Sequence, residues 1–390
     1  MGLASKMVMA YGIQQGAQVM QQLNKPSPYP PVQGGQGNFG GAPQGHAAGY
    51  YNQGQSQHQQ QAMGAGYAPS YNPAYAAAGA AAGAAAVGAA YQHGMGHGQP
   101  SHGGPASDPN YILNLLRQTV QDQNLHAFYP PGTLEPLAHR ISQSGALPRI
   151  AQEWRLPMEV AFDLAKLALF DVVLYLDDSG SMAFEENGSR IDDAKLITSR
   201  VAMAASLFDT DGIQVIFMNN RTVGSHITSE QQASQLLSSI NFSGLTPLGT
   251  SLDQKIIQPL VVGPARANAL RKPVLVIGVT DGEPAGEDRR ALVNAVKNAK
   301  QALQQTRYGP DALSIEIAQV GNDQKARAFL EELDSDPSVG GLIDVTGTFE
   351  NEQDNMMKQT GISLTPDLWL VKLMCGACDS SYDHRDERRY

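Results

Sequence analysis

Asp177, Ser179 and Ser181 stand at alternate positions directly after an unbroken apolar run, in FDVVLYLDDSGSM (170–182). Three small oxygen-bearing side chains at this spacing suit a hard divalent cation, because Mg²⁺ and Mn²⁺ prefer carboxylate, hydroxyl and water oxygens in octahedral array. The run from Val172 to Leu176 predicts a strand buried on both faces, as in a parallel sheet covered by helices. It stops at Asp177-Asp178-Ser179-Gly180-Ser181, and ligands of open α/β sheets bind outside the carboxyl ends of the strands. The three side chains are therefore expected on a loop where such a sheet presents its chemistry.

DVVLYLDDSGSM resembles the opening strand and D-x-S-x-S loop of a von Willebrand factor A domain. The metal-ion-dependent adhesion site of that family also takes a threonine and a second aspartate from later loops. GLTPLGTSL is similar to the threonine loop and supplies Thr246; VLVIGVTDGEP is similar to the fourth-strand motif and supplies Asp281. QVGNDQKARAFLEELDSD resembles the intracellular copine-like and tellurium-resistance-like branch. The resemblance spans about residues 170–350. It implies a metal site of Asp177, Ser179, Ser181, Thr246 and Asp281 holding Mg²⁺ or Mn²⁺. Ser179 and Ser181 are then direct ligands, with the other three acting directly or through water. It also implies a non-enzymatic partner-binding role in which a Glu or Asp of another protein completes the coordination. Phe184 to Asn187, with Glu185 and Glu186, are expected to border that site.

Two enzyme readings compete with this one. A phosphatase of the haloacid-dehalogenase kind can use an aspartate after a buried strand as nucleophile, but it wants a carboxylate two residues on as general acid, where this chain has Ser179. A serine hydrolase needs a G-x-S-x-G elbow, which neither Ser179 nor Ser181 has. A third reading is a scaffold or condensate-forming protein driven by the amino-terminal region.

Composition separates the chain into unlike parts. With 390 residues and 42% hydrophobic content there is room for two or three domains and a sizeable core. Residues 1–107 contain Lys6, Lys25 and no acidic residue, so the remaining 25 basic and 37 acidic residues balance to −12. An acidic folded part argues against nucleic-acid backbone binding. Cys375 and Cys378 are the only cysteines, too few for a disulfide framework, and as a lone C-x-x-C they are a weak metal or redox signal. No signal segment and no apolar stretch of about 18–20 residues is seen, so a cytoplasmic, intracellular protein without a membrane span is expected. MGLASK has Lys6 where an amino-terminal myristoylation motif wants Ser or Thr, and membrane attachment is not expected.

Taken in order, residues 1–107 are rich in Gly, Gln, Ala, Tyr and Pro and read as a disordered low-complexity region, with weak self-association through its tyrosines as a further expectation. Asp108-Pro109 predicts a helix start, Thr133 a second helix and Pro157 the first turn of a third, giving a small all-α domain over 108–169 with Trp154 and Phe128 in its core. Over 170–350 strands and helices alternate. The strands fall at 172–176, 212–218, 273–280, 313–320 and 342–346, with an antiparallel edge at 222–228, the pattern of a doubly wound, mostly parallel α/β sheet with helices on both faces. Ser189 and Asp192 predict a capping box for the helix after the D-x-S-x-S loop. His226 reads as a structural edge residue. Residues 351–390 are expected to form one helix from Thr365-Pro366-Asp367, then a frayed tail.

Overall fold

Side-chain alternation in the central strands decides the architecture. In the computed structural model, which describes residues 108–339 and 341–382 together with Leu3, Lys6 and Met7, β1 (Asp171–Leu176) sends Val172, Leu174 and Leu176 into one apolar core and Val173 and Tyr175 into another. β4 (Val274–Thr280) does the same, with Leu275, Ile277 and Val279 on the first face and Val274 and Val276 on the second. A strand apolar on both faces must be covered on both, and helices cover it.

Six strands form one sheet in the order β3-β2-β1-β4-β5-β6, where β2 is Ile213–Phe217, β3 Val223–Ile227, β5 Leu313–Gln319 and β6 Ile343–Thr346. All neighbours are parallel except β2 and β3. The chain leaves β1 to one side through β2 and returns to its other side through β4, so the direction of winding reverses between β1 and β4. Crevices at such switch points are the usual ligand sites of open α/β sheets. His226 lies in the edge strand with φ 57° beside the register shift between Ile213 and Val215, and its Nδ1 is 3.0 Å from the Asp211 carbonyl oxygen.

The helical lead-in is α1 (Pro109–Asp122), α2 (Leu134–Ser144), α3 (Ala146–Glu153) and α4 (Met158–Leu164). Asp108 caps α1 as expected, its carboxylate accepting from the Asn110 amide at 2.9 Å. The second expected helix is α2, and a helix that was not expected, α3, follows it directly across Gly145, whose φ of +66° a helix interior does not allow. Trp154 is buried and Phe128 partly so. These helices share one continuous core with a face of the sheet and belong to the same compact unit as the strands.

Two expectations need correction at the ends. The reading of 1–107 as wholly disordered fails at its start: Leu3, Lys6 and Met7 are helical, Leu3 and Met7 are buried in the lead-in core, and the Lys6 ammonium donates to Asp163 at 2.5 Å. Residues 3 and 7 lie one above the other on a helix, so even this short segment presents an apolar stripe. The rest of the low-complexity region lies outside the described residues. After β6 there are two helices rather than one, α11 (Phe349–Thr360) and α12 (Pro366–Cys375). α12 is capped by Thr365 as expected and is apolar enough to be buried from Leu368 to Cys375. Cys375 and Cys378 are free and buried, and the expected frayed tail, 383–390, lies outside the described residues. Among the described residues no helix is long and apolar enough to cross a membrane.

Candidate metal centre

The site begins with a backbone constraint. β1 ends at Leu176, and the Asp177 amide donates to the Val279 carbonyl at 2.9 Å, so the two chains run side by side to the mouth of the sheet. Asp177 is fully buried. Its Oδ1 accepts from the Ser179 amide at 2.9 Å and its Oδ2 from the Thr280 hydroxyl at 2.7 Å. Burial pushes its carboxyl up to about 6, against the pull of those hydrogen bonds.

Above Asp177 the oxygens form a chain. The Ser179 and Ser181 hydroxyls are 3.0 Å apart, and the Ser181 hydroxyl donates to Asp281 Oδ1 at 3.0 Å. Asp281 directly follows β4 and is itself fully buried. Its other oxygen, Oδ2, accepts from Arg190 Nη1 at 2.6 Å.

The third loop is held by main-chain bonds. The Gly180 amide donates to the Gly244 carbonyl at 3.1 Å, the Ser243 amide to the Asp178 carbonyl at 2.7 Å, and the Ala285 amide to the Thr246 carbonyl at 3.0 Å. Thr246 is buried between the loops after β1 and β4. It opens into α8 (Leu248–Leu252), which continues as a wider helix over Asp253–Val262 with Pro259 inside. Proline lacks the N–H that regular helical bonding requires, so a wider turn at that point has a local cause. The Tyr175 hydroxyl donates to the Leu248 carbonyl at 2.9 Å, and the Glu287 carboxylate accepts from the Gly249 and Thr250 amides at 2.8 Å each, fixing the start of α8 over the sheet. All five expected residues thus lie on three loops tied together at one end of the sheet, at the switch point between β1 and β4.

Several residues that hold this arrangement escaped the sequence reading. Asp178 is buried beside Asp177 but faces away from the hydroxyls. Its Oδ1 accepts from the Asn219 amide at 2.7 Å and side-chain nitrogen at 3.2 Å, and its Oδ2 from the Asn220 amide at 2.7 Å. Asn219 in turn donates to the Leu245 carbonyl at 2.8 Å. Thr280 and Arg190 are the other two. A doubled aspartate and a threonine before the second one are visible in the sequence, but no local pattern marks Arg190.

The border is partly as expected. Phe184, at the end of the short α5 (Gly180–Phe184), is 84% exposed, and Leu245 in the facing loop is also exposed. Glu186 is not a free rim charge: it takes the Arg190 Nη2 at 3.1 Å and the Asn322 amide at 2.9 Å, and the Asn322 amide, with Arg190, holds its carboxyl below the usual range. The capping box is a correction. Ser189 is the first residue inside α6 (Ser189–Phe208) and the cap position falls on Gly188 at φ +83°, because the turn over Glu185–Gly188 runs straight into the helix; Asp192 pairs instead with Lys195 at 3.4 Å.

The donor set is all oxygen: two hydroxyls and two carboxylates, with a third hydroxyl on the adjoining loop. That chemistry fits Mg²⁺ or Mn²⁺ and not a soft or imidazole-seeking metal. Among the described residues no group of three or more His, Cys, Asp and Glu gathers in metal-ligating fashion, and a hydroxyl-rich site contains only two such residues. No protein-family model and no curated protein matches the sequence.

Proposed function

We propose that this chain is a non-enzymatic, divalent-cation-dependent protein-binding module built as a von Willebrand factor A-like domain, and that it captures an acidic residue of a partner protein. The observation that carries this reading is the Ser179–Ser181–Asp281 oxygen chain, with 3.0 Å between successive oxygens, above the buried Asp177. Ser179 and Ser181 would hold the ion by their hydroxyls, with Asp177, Thr246 and Asp281 holding it directly or through water. When bound, the ion supplies an electrophilic centre with an exchangeable water that a carboxylate can replace. A set dominated by neutral hydroxyls leaves such an ion more electrophilic than a carboxylate cage does. The exposed Phe184 and Leu245 beside the loops offer apolar surface to the residues flanking that carboxylate.

The phosphatase alternative has less support. That chemistry needs a carboxylic acid two residues after the nucleophile as proton donor, and the residue there is Ser179, whose hydroxyl lies 3.0 Å from that of Ser181.

The test is capture from a cell lysate on immobilised full-length chain, with Mg²⁺ or with EDTA, using wild type beside Asp177→Ala and Ser181→Ala. Proteins retained only by wild type with Mg²⁺, and released by added free acidic peptide, support the proposal. The same proteins in every lane contradict it.

A further inference from the structure

Arg190 is a buried guanidinium with an unusual position. It enters from the second residue of α6, is 5% exposed, and joins the loops after three strands. Nη1 donates to Asp281 Oδ2 at 2.6 Å after β4, and Nη2 donates to Glu186 Oε1 at 3.1 Å after β1. The same Glu186 oxygen accepts from the Asn322 amide after β5 at 2.9 Å. Room for the guanidinium is made at Gly321, where a Cβ would stand 2.4 Å from Arg190 Nε. Nε itself is buried without a hydrogen-bond partner. Glu186 adopts φ 50°, a conformation that disfavours a residue with a side chain, to bring its carboxylate there. A strained glutamate, a missing side chain at 321 and an unsatisfied buried N–H are together a costly way to place one positive charge.

That charge falls on the far oxygen of the carboxylate whose near oxygen, Oδ1, meets the Ser181 hydroxyl. A cation held by the hydroxyls would share the Asp281 carboxylate with the guanidinium, in a place where Asp281 is fully buried. Like charges across so short a span repel strongly where screening is weak. Glu186 draws part of the guanidinium's field to itself.

We propose that Arg190 is the positioning residue that sets the cation affinity of this site: by half-neutralising Asp281 it keeps divalent ions loosely held. The inference rests on the metal-binding reading above. The electrostatic role and a purely mechanical clasp make opposite forecasts. If the charge is what matters, Arg190→Gln, which removes the charge from Asp281, tightens the site. If the clasp is what matters, the same change frees Asp281 and weakens it. Arg190→Lys keeps the charge while losing the two-armed bridge.

The experiment is titration of full-length wild type, Arg190→Gln and Arg190→Lys with Mn²⁺ alone, followed by electron paramagnetic resonance of the free ion, with circular dichroism to report folding. The expected result is Kd lowered about tenfold or more by Arg190→Gln and within about threefold of wild type for Arg190→Lys. Wild-type binding with Arg190→Gln unchanged or weaker overturns this proposal and leaves the metal site standing. Absence of Mn²⁺ binding in wild type and in both variants overturns the metal-binding reading itself. Should Arg190→Gln not fold, Glu186→Gln decides: it returns the whole guanidinium charge to Asp281, so Mn²⁺ must bind at least about threefold more weakly, and unchanged or tighter binding overturns the proposal.

Discussion

Gly249 is the point at which the threonine loop leans on the rest of the fold, and a single methyl there should be costly. A Cβ at 249 would lie 2.1 Å from the Leu292 amide nitrogen, 2.4 Å from the Ala291 carbonyl carbon and 2.5 Å from the Leu292 Cα. These are backbone atoms of α9 (Ala291–Gln304), which cannot swing aside as a side-chain tip does. Restoring ordinary contact at 3.4 Å means parting α8 from α9 by about 1.3 Å, the difference between 3.4 and 2.1 Å. Leu248, Leu252, Leu292, Val293 and Val296 share one core, so that shift opens gaps among well-packed atoms. Overpacking of this kind costs about 3 kcal/mol, and for a domain of this size about 6–12 °C in Tm. Gly282 is the control: nothing lies within 4 Å of a Cβ there, so Gly282→Ala should stay within about 0.5 kcal/mol of wild type. Thermal melts of the three proteins followed by circular dichroism report the difference. A Tm for Gly249→Ala within 1 °C of wild type would refute the reasoning that α8 is held rigidly against α9.

Other perturbations give distinct forecasts. Glu316 in β5 is fully buried with Asp344 beside it, and burial first, then Asp344, pushes its carboxyl well above the usual range. The folded chain holds this proton to higher pH than the unfolded chain does, so the group subtracts stability as pH rises above the ordinary carboxylate range; Glu316→Gln should show a shallower fall of Tm with rising pH, and parallel curves would contradict the assignment. Lys166 is buried between Asp163, at 2.9 Å, and Asp379, with the Tyr382 hydroxyl also donating to Asp163 at 2.6 Å. Lys166→Met should cost about 3 kcal/mol or more in urea unfolding, and adding Asp379→Asn should recover part of it; strictly additive losses would rule out the coupling. Asp178→Asn can no longer accept from both the Asn219 and Asn220 amides and should lose about 2 kcal/mol by the same assay, whereas an unchanged midpoint would mean that these bonds contribute nothing net.

The part of the fold that was legible is the part written in short apolar runs. β1 and β4 are buried on both faces and read as such runs without help from distant residues, β5 reads by its alternating Leu313, Ile315 and Ile317, and Asp177, Ser179 and Ser181 are visible because they follow β1 without a gap. Thr246 and Asp281 needed a family resemblance to be picked out. The residues that lock the site were illegible for a physical reason: Thr280 meets Asp177 across 103 positions and Arg190 meets Asp281 across 91, and such pairings exist only once the sheet has formed. α11 was missed because FENEQDNMMKQT is polar nearly throughout. It buries Met356 and Glu352, the latter 2.7 Å from the Lys372 ammonium of α12, a contact that hydropathy does not register. The short α3 beyond Gly145 and the docking of Leu3 and Met7 escaped the reading for the opposite reason, being local events inside stretches whose average composition points elsewhere.

The central claim is that hydroxyls at 179 and 181 hold a divalent ion. Calorimetric titration of the full-length chain with Mn²⁺, wild type beside the Ser179→Ala, Ser181→Ala double variant, tests it most directly. Loss of two hydroxyls from a rim that keeps Asp177 and Asp281 should leave the Tm within a few degrees of wild type. The expected result is one binding event in wild type, competed by Mg²⁺, and its disappearance in the double variant at unchanged Tm. Equal binding by both proteins, or none by the wild type, would contradict it.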